Sequence, residues 1–147
     1  MTSAVRYTTS LEGISADDLR GGFWVGWPNP PSAETHLAML RGSEALVLAV
    51  DDDADAGLPR VVGFVNAIGD GVLAAYVPCL EVLRAWQGQG IGSELVRRIL
   101  AELEPRYMID LVCDEDVVPF YERLGLTPYR AMIRRDRAAL AGNAADT

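Results

Sequence analysis

The stretch Trp86-Gln87-Gly88-Gln89-Gly90-Ile91-Gly92-Ser93 joins a strand to a helix with almost no side chains, and the rest of the chain falls into place around it. Upstream, Tyr76-Val77-Pro78-Cys79-Leu80-Glu81-Val82-Leu83 is apolar and partly β-branched, the composition of a strand. Downstream, Ile91, Leu95, Ile99, Leu100 and Leu103 recur at helical spacing, with Glu94, Arg97, Arg98 and Glu102 between them. A strand that turns through alternating glycines into a helix leaves backbone N–H groups bare at the helix N-terminus. They converge there with the positive end of the helix dipole. Such a turn suits a phosphate or pyrophosphate. The chemistry starts from an anionic ligand.

Spacing decides which ligand. A triphosphate-binding loop ends in Gly-Lys-Ser/Thr, and the chain contains no lysine, so that class is excluded. A dinucleotide fingerprint needs Gly-x-Gly-x-x-Gly; Gly88 and Gly90 fit, but Ser93 holds the third position. Asp110 does lie about twenty residues on, as that fingerprint requires. Against it, the fingerprint follows the first strand of its unit, whereas this turn comes after more than eighty residues with strands of their own.

Gln-x-x-Gly-x-Gly is satisfied by Gln87, Gly90 and Gly92. With its preceding strand it resembles motif A of the GCN5-related N-acetyltransferase (GNAT) family, which cradles the pyrophosphate of acetyl-coenzyme A. A second segment, Asp114-Glu115-Asp116-Val117-Val118-Pro119-Phe120-Tyr121-Glu122-Arg123-Leu124-Gly125-Leu126, is similar to motif B, with Leu126 in place of the last phenylalanine. The resemblance covers roughly residues 3–135. It departs from the family at Arg84, where many relatives have proline; arginine loosens the turn and offers a cation near the phosphates.

Composition sets limits. At 147 residues and 50% hydrophobic, the chain reads as one domain, 1–147, with material for a proper core. Its apolar runs fall short of a membrane span, and Met1-Thr2-Ser3-Ala4-Val5-Arg6 lacks the apolar core of a secretion signal. Cys79 falls inside an expected strand and Cys113 at the end of one, which suggests reduced core thiols in a cytoplasmic protein. Thirteen basic against twenty-one acidic residues, net −8, argue against a nucleic-acid partner. Binding an anionic ligand on such a chain is feasible because backbone N–H groups need no cationic side chain, although Arg84 and Arg97 can assist. An acidic exterior favours, weakly, an amine acceptor.

The elements read as strands at 4–9, 44–50, 60–68, 72–83, 107–112 and 129–135, with helices opened by Ser15 and Ser32 (33–40), after the glycines, and at 115–124. The order β-α-α-β-β-β-α-β-α-β gives an α/β fold (α+β, a mixed sheet flanked by helices), which is also the order the resemblance implies. The acidic run 51–57 and the tail after 140 are expected to be floppy.

The resemblance implies an acetyl-CoA-dependent N-acetyltransferase acting by direct attack of a primary amine of a small molecule, with no metal. A coenzyme-binding regulatory protein without turnover, and acetylation of a protein N-terminus or lysine, are the alternatives. Cofactor contacts are expected from the backbone of Val82 and Leu83 toward the pantetheine arm, and from Gln87, Gly88, Gln89, Gly90, Ile91, Gly92 and Ser93 toward the pyrophosphate. Tyr121 matches the motif B tyrosine near the sulfur, and a phenol of pKa ~10 suits protonating a departing thiolate. Glu81, a carboxylate in an apolar strand, is costly unless solvated or paired; it either serves the amine or pairs with Arg84 or Arg130. Asp70 and Asp114 are secondary acids, each better read as a turn or cap residue. Phe23, Trp24 and Trp27, with Tyr76, are expected to line the acceptor channel, with at least one aromatic filling the core instead. His36, among polar neighbours, is expected to face solvent. No cluster has metal-ligand spacing. A homodimer is left open.

Overall fold

Runs such as Ala45-Leu46-Val47-Leu48-Ala49-Val50 are apolar at every position rather than at alternate ones, so the strand they form must be covered on both faces. The computed structural model, which describes residues 4–144, shows that arrangement. Met1-Thr2-Ser3, read above for a secretion signal and at the start of the family resemblance, and tail residues 145–147 lie outside the described residues. Five strands, β1 (Arg6–Thr8), β2 (Ala45–Val50), β3 (Val61–Gly69), β4 (Ala74–Val82) and β5 (Met108–Asp110), lie side by side in chain order. All neighbours are antiparallel except β4 and β5, which run parallel. The helices are α1 (Ala33–Arg41), α2 (Ile91–Leu103), α3 (Val118–Glu122) and α4 (Arg137–Ala144).

Two apolar layers sandwich the sheet. On one face Leu37 and Leu40 of α1 meet Leu46, Leu48, Val50 and Phe64. On the other, Ile91, Leu95, Ile99 and Leu103 of α2 meet Val47, Val65, Ala67 and Val77. That α2 set is the helical stripe legible in the sequence. Helix α1 is opened by Ser32, whose Oγ accepts the Thr35 N–H at 3.0 Å.

Two features of β4 prepare the site. Its register against β3 shifts between Asn66 and Ile68, so that Val77 and Pro78 together oppose Ala67. A proline has no N–H for the ladder, and a bulge is where a strand accommodates one. On its other side β4 is accompanied by β5 only from Ala74 to Tyr76. From residue 77 to Val82 that edge has no neighbouring strand among the described residues.

Several expectations need correction. The helix opened by Ser15 is a single 3₁₀ turn, Ala16–Leu19. Motif B forms a 3₁₀ turn, Glu115–Val117, followed by the short α3. The acidic run from 51 is turned rather than loose, with Asp51 Oδ1 accepting the Asp53 N–H at 3.1 Å. Residues 129–135, expected as a last strand, pair with no strand among the described residues. The tail after 140 continues α4 to Ala144. His36 is the clearest reversal. It is fully buried, because positions 33, 36, 37 and 40 share the inner face of α1. Polar sequence neighbours are a poor guide to a helical residue's direction; the three-and-four spacing is the better one.

Candidate functional site

Helix α2 begins at an unusual cap. Gly90 stands at its N-cap with φ +84°, and no side chain closes the first turn. Gly88 is also left-handed, at φ +81°, a region glycine enters without steric cost. The first helical bond runs from Glu94 N–H to Gly90 C=O at 3.1 Å, and among the described residues no protein acceptor takes the N–H groups of residues 88–93. A Cβ added at Gly88 or Gly90 would meet nothing within 4 Å, so the loop opens onto free space. Uncapped donors, the dipole end and an open cradle fit a pyrophosphate. Arg97 is held at 3.6 Å by Glu94 and Arg98 at 2.8 Å, so the cation beside this turn is the exposed Arg84.

Strand β4 and α3 meet the turn from either side. A Cβ at Gly92 would lie 3.7 Å from Phe120 and 3.8 Å from Val82. The first turn of α2 therefore packs between Val82, at the end of β4's unpaired stretch, and Phe120 of α3. Backbone groups of that edge are partly engaged. The Gln87 side chain donates to Val82 C=O at 3.0 Å. The Leu83 N–H donates to Val62 C=O and its own carbonyl accepts from Trp86, both at 2.8 Å. Leu83 thus has no free donor for a pantetheine arm, and an arm bonding to Val82 C=O shares it with Gln87.

Glu81 pairs across the ladder with Phe64, so its side chain lies on the α1 face of the sheet. Its partner is the backbone N–H of Trp24, 2.8 Å from Oε1, rather than Arg84 or Arg130. Burial pushes its carboxyl above the ordinary carboxylate range, and the Trp24 N–H pulls part of the way back. A raised carboxylate in a half-buried site is the form a proton acceptor takes. Cys79, also on this strand, is pushed up to about 11 by burial and by the Glu81 charge, so it remains a thiol.

The Tyr121 phenol is pushed up to about 12, mainly by burial and further by nearby Cys113. It is a weaker acid than the sequence suggested and stays protonated throughout the physiological range. Asp70 is a turn residue as expected; its Oδ1 accepts the N–H groups of Val72, Leu73 and Ala74 at 2.8, 2.8 and 3.1 Å, which pull its pKa down to about 2. Asp114 stands at the cap of the 3₁₀ turn before α3.

Beside Glu81 lies a cavity of about 420 Å³ lined by Gly22, Val25, Trp27, Pro78, Cys79 and Leu80, with Val82, Arg84 and Gln87 toward the glycine turn. Of the four residues expected on the acceptor channel, Trp27 lines it and Tyr76 does not. Phe23 and Trp24 are core residues instead, packed with His36 and Phe64 at ring separations of 4.3–5.6 Å. Their part in the site is indirect, since Trp24 presents the N–H that Glu81 uses. Val25, Cys79 and the Trp24 N–H were not anticipated. Backbone donors of loop residues carry no sequence signal, and the only hint was the aromatic density of residues 23–27.

A mixed sheet whose fourth strand parts from its parallel neighbour beside an uncapped, glycine-turned helix defines the class. The chain belongs to the acetyltransferase (GNAT) family, whose family model matches residues 13–126. A crystal structure from Deinococcus radiodurans R1, assigned to the acetyltransferases, is 48% identical with a TM-score of 0.87, covering 96% of this chain and 97% of that one. A GNAT family acetyltransferase of Streptococcus pneumoniae TIGR4 is 31% identical with a TM-score of 0.66, covering 91% of this chain and 98% of that one. Among curated relatives, serotonin N-acetyltransferase 2 of Oryza sativa subsp. japonica is 35% identical over 103 residues, covering 69% of this chain and 50% of that protein. The chain spans about half the length of the curated relatives it matches.

Proposed function

We propose that the chain transfers an acetyl group from acetyl-coenzyme A to the primary amine of a small molecule by direct attack. The observation that carries this reading is the uncapped N-terminus of α2 packed beside Val82, at the end of the unpaired edge of β4, with Glu81 and its cavity on the adjoining stretch of that strand. The thioester supplies the acyl group; the residues of the chain bind, orient and move protons. Bare N–H groups of residues 88–93 take the pyrophosphate, which directs the acyl end along β4. Glu81 holds the ammonium form of the acceptor and accepts its proton, directly or through a water. The amine nitrogen then bonds to the carbonyl carbon as the carbon–sulfur bond breaks. The Tyr121 O–H delivers a proton to the departing sulfur, and the second proton, shed by the acylated nitrogen, returns to the tyrosinate through water.

A cavity of about 420 Å³ suits a compact acceptor. Trp27 and Val25 offer an apolar wall opposite the carboxylate, which fits an amine carrying an aromatic or aliphatic body. The likeness to a serotonin N-acetyltransferase supports the same choice. The Cys79 thiol, on the same strand as Glu81, stays protonated and does not compete as a nucleophile.

The test is coenzyme A thiol release against a panel of primary amines, with mass spectrometry of the product. Glu81→Gln is expected to lower kcat/KM about 100-fold and to remove the acid limb of its pH profile. Tyr121→Phe is expected to lower kcat about 10- to 100-fold with KM for the coenzyme unchanged. Calorimetric binding of coenzyme A without turnover of any amine would favour a regulatory binding protein. Turnover confined to peptides would favour a protein acceptor.

A further inference from the structure

The cavity beside Glu81 has two charged side chains in its lining, and their signs are opposite: Glu81 itself and Arg84. One stands on β4, the other opens the 3₁₀ turn Arg84–Trp86 that follows it. About three residues of chain, at roughly 3.3 Å each, keep the two backbones within ~10 Å. The charges are in reach of one another, yet they do not pair. Glu81 takes the Trp24 N–H on Oε1, and no described residue donates to its Oε2. Arg84 is exposed and meets no carboxylate among the described residues, whereas Arg60, Arg97, Arg98 and Arg106 each hold one.

Arg84 has no other partner waiting for it. The pyrophosphate has the bare N–H groups of residues 88–93, which need no cationic side chain. Gln87, a polar group lining the same cavity, is committed to Val82 C=O, and the Cys79 thiol is neutral. What remains is a cavity with an anionic and a cationic side and an apolar wall of Val25 and Trp27. A plain amine satisfies the carboxylate and leaves the guanidinium idle. An acceptor whose amine-bearing carbon also carries a carboxylate satisfies both. The planar fork of an arginine takes such a group through two parallel N–H···O bonds.

We propose that the acceptor is an α-amino acid with an apolar side chain, its ammonium on Glu81, its carboxylate on Arg84 and its side chain against Trp27 and Val25. This rests on the proposed function, acetyl transfer to an amine held at Glu81, and narrows it to one substrate class. Two charged contacts and one apolar contact fix the acceptor at three points, so the nitrogen is aimed rather than merely tethered. Transfer turns the ammonium into a neutral amide while the carboxylate is kept. The product therefore loses its attraction to Glu81 and is left with a like charge beside that carboxylate, which favours release.

The experiment pairs free phenylalanine, leucine and methionine with the amines left when their carboxylates are removed, and measures kcat/KM for each with acetyl-coenzyme A. The ratio of amino acid to matched amine is expected to reach about 10 or more in at least one pair. It should fall to about 1 in Arg84→Met and below 1 in Arg84→Glu, which sets like charges together. A ratio cancels whatever a substitution does to folding or to coenzyme binding, since both acceptors share those losses. A ratio short of about 10 in every pair overturns the proposal and, where the amines turn over, leaves transfer to simple amines standing. A ratio that fails to fall in Arg84→Met overturns it as well, and weaker calorimetric binding of coenzyme A by that variant would then assign Arg84 to the phosphates. Turnover of neither member of any pair overturns the amine acceptor and this proposal together.

Discussion

Trp24 carries the one positive φ of the described non-glycine residues, 71°. Such a backbone costs of the order of 1–3 kcal/mol and persists only where its surroundings hold it. Here the hold is visible. Its ring packs on Trp27 at 4.9 Å and on His36 at 4.8 Å, and its N–H reaches Glu81. His36 sits behind this arrangement with neither ring nitrogen partnered, and burial lowers its pKa from 6.5 to about 4. The unfolded chain takes up that proton first as pH falls. Stability is therefore present above the unfolded value of 6.5 and is lost between 6.5 and about 4, by up to about 3 kcal/mol for this group. His36→Phe keeps a ring in the cluster and removes the titration, so urea unfolding of the variant should lose most of its pH dependence across that window. An unchanged slope would place the acid sensitivity elsewhere. None of this was legible in the sequence beyond a lone histidine. The chain order shows which residues neighbour His36, and only the phase of α1 shows which way it turns.

At the scale of elements, the glycine turn was fully legible and its flank only partly. Gly88, Gly90 and Gly92 announce a strand-to-helix turn because few other residues tolerate the left-handed backbone that starts α2. Gly90→Ala should cost about 1–2 kcal/mol of stability and raise KM for acetyl-coenzyme A several-fold, since alanine resists φ near +84°. Gly92→Ala is the control. It is helical, its Cβ would lie at ordinary contact distance from Phe120 and Val82, and thermal unfolding should show no loss. Equal destabilisation by the two would refute the conformational account. Motif B, by contrast, reads in sequence as one helix and folds as a 3₁₀ turn plus a short helix, because Pro119 lacks the N–H that a longer helix through 115–124 would need.

At the scale of the molecule, one side chain ties the start of the chain to the middle of the sheet. Arg60 donates to both oxygens of Asp18, at 2.9 and 3.0 Å, and to Gly13 C=O at 2.7 Å. Asp18 is buried at 8% exposure, and Arg60 holds its carboxyl below the ordinary range. This contribution is present above the usual aspartate range and is lost as pH falls through the lowered value. Arg60→Ala strands a buried carboxylate and should cost about 2–3 kcal/mol by denaturant titration. Arg60→Lys should recover less than half, since an ammonium cannot engage both oxygens and the carbonyl in that fork geometry.

Local chemistry alone determined the kind of the central elements, β2 to β4 and α2. Continuous apolar runs meant a sheet covered on both faces, periodicity marked α2, and alternating glycines placed an anion site between them. These features depend on residues a few positions apart, which the chain order specifies directly. Tertiary structure decided everything that requires distant residues to meet. It brought the Trp24 N–H to Glu81 across 57 positions, buried His36 and Phe23, and left the strand-like segment 129–135 without a partner strand among the described residues. Backbone donors and open sheet edges have no residue code, so their use is fixed only once the sheet has closed around them.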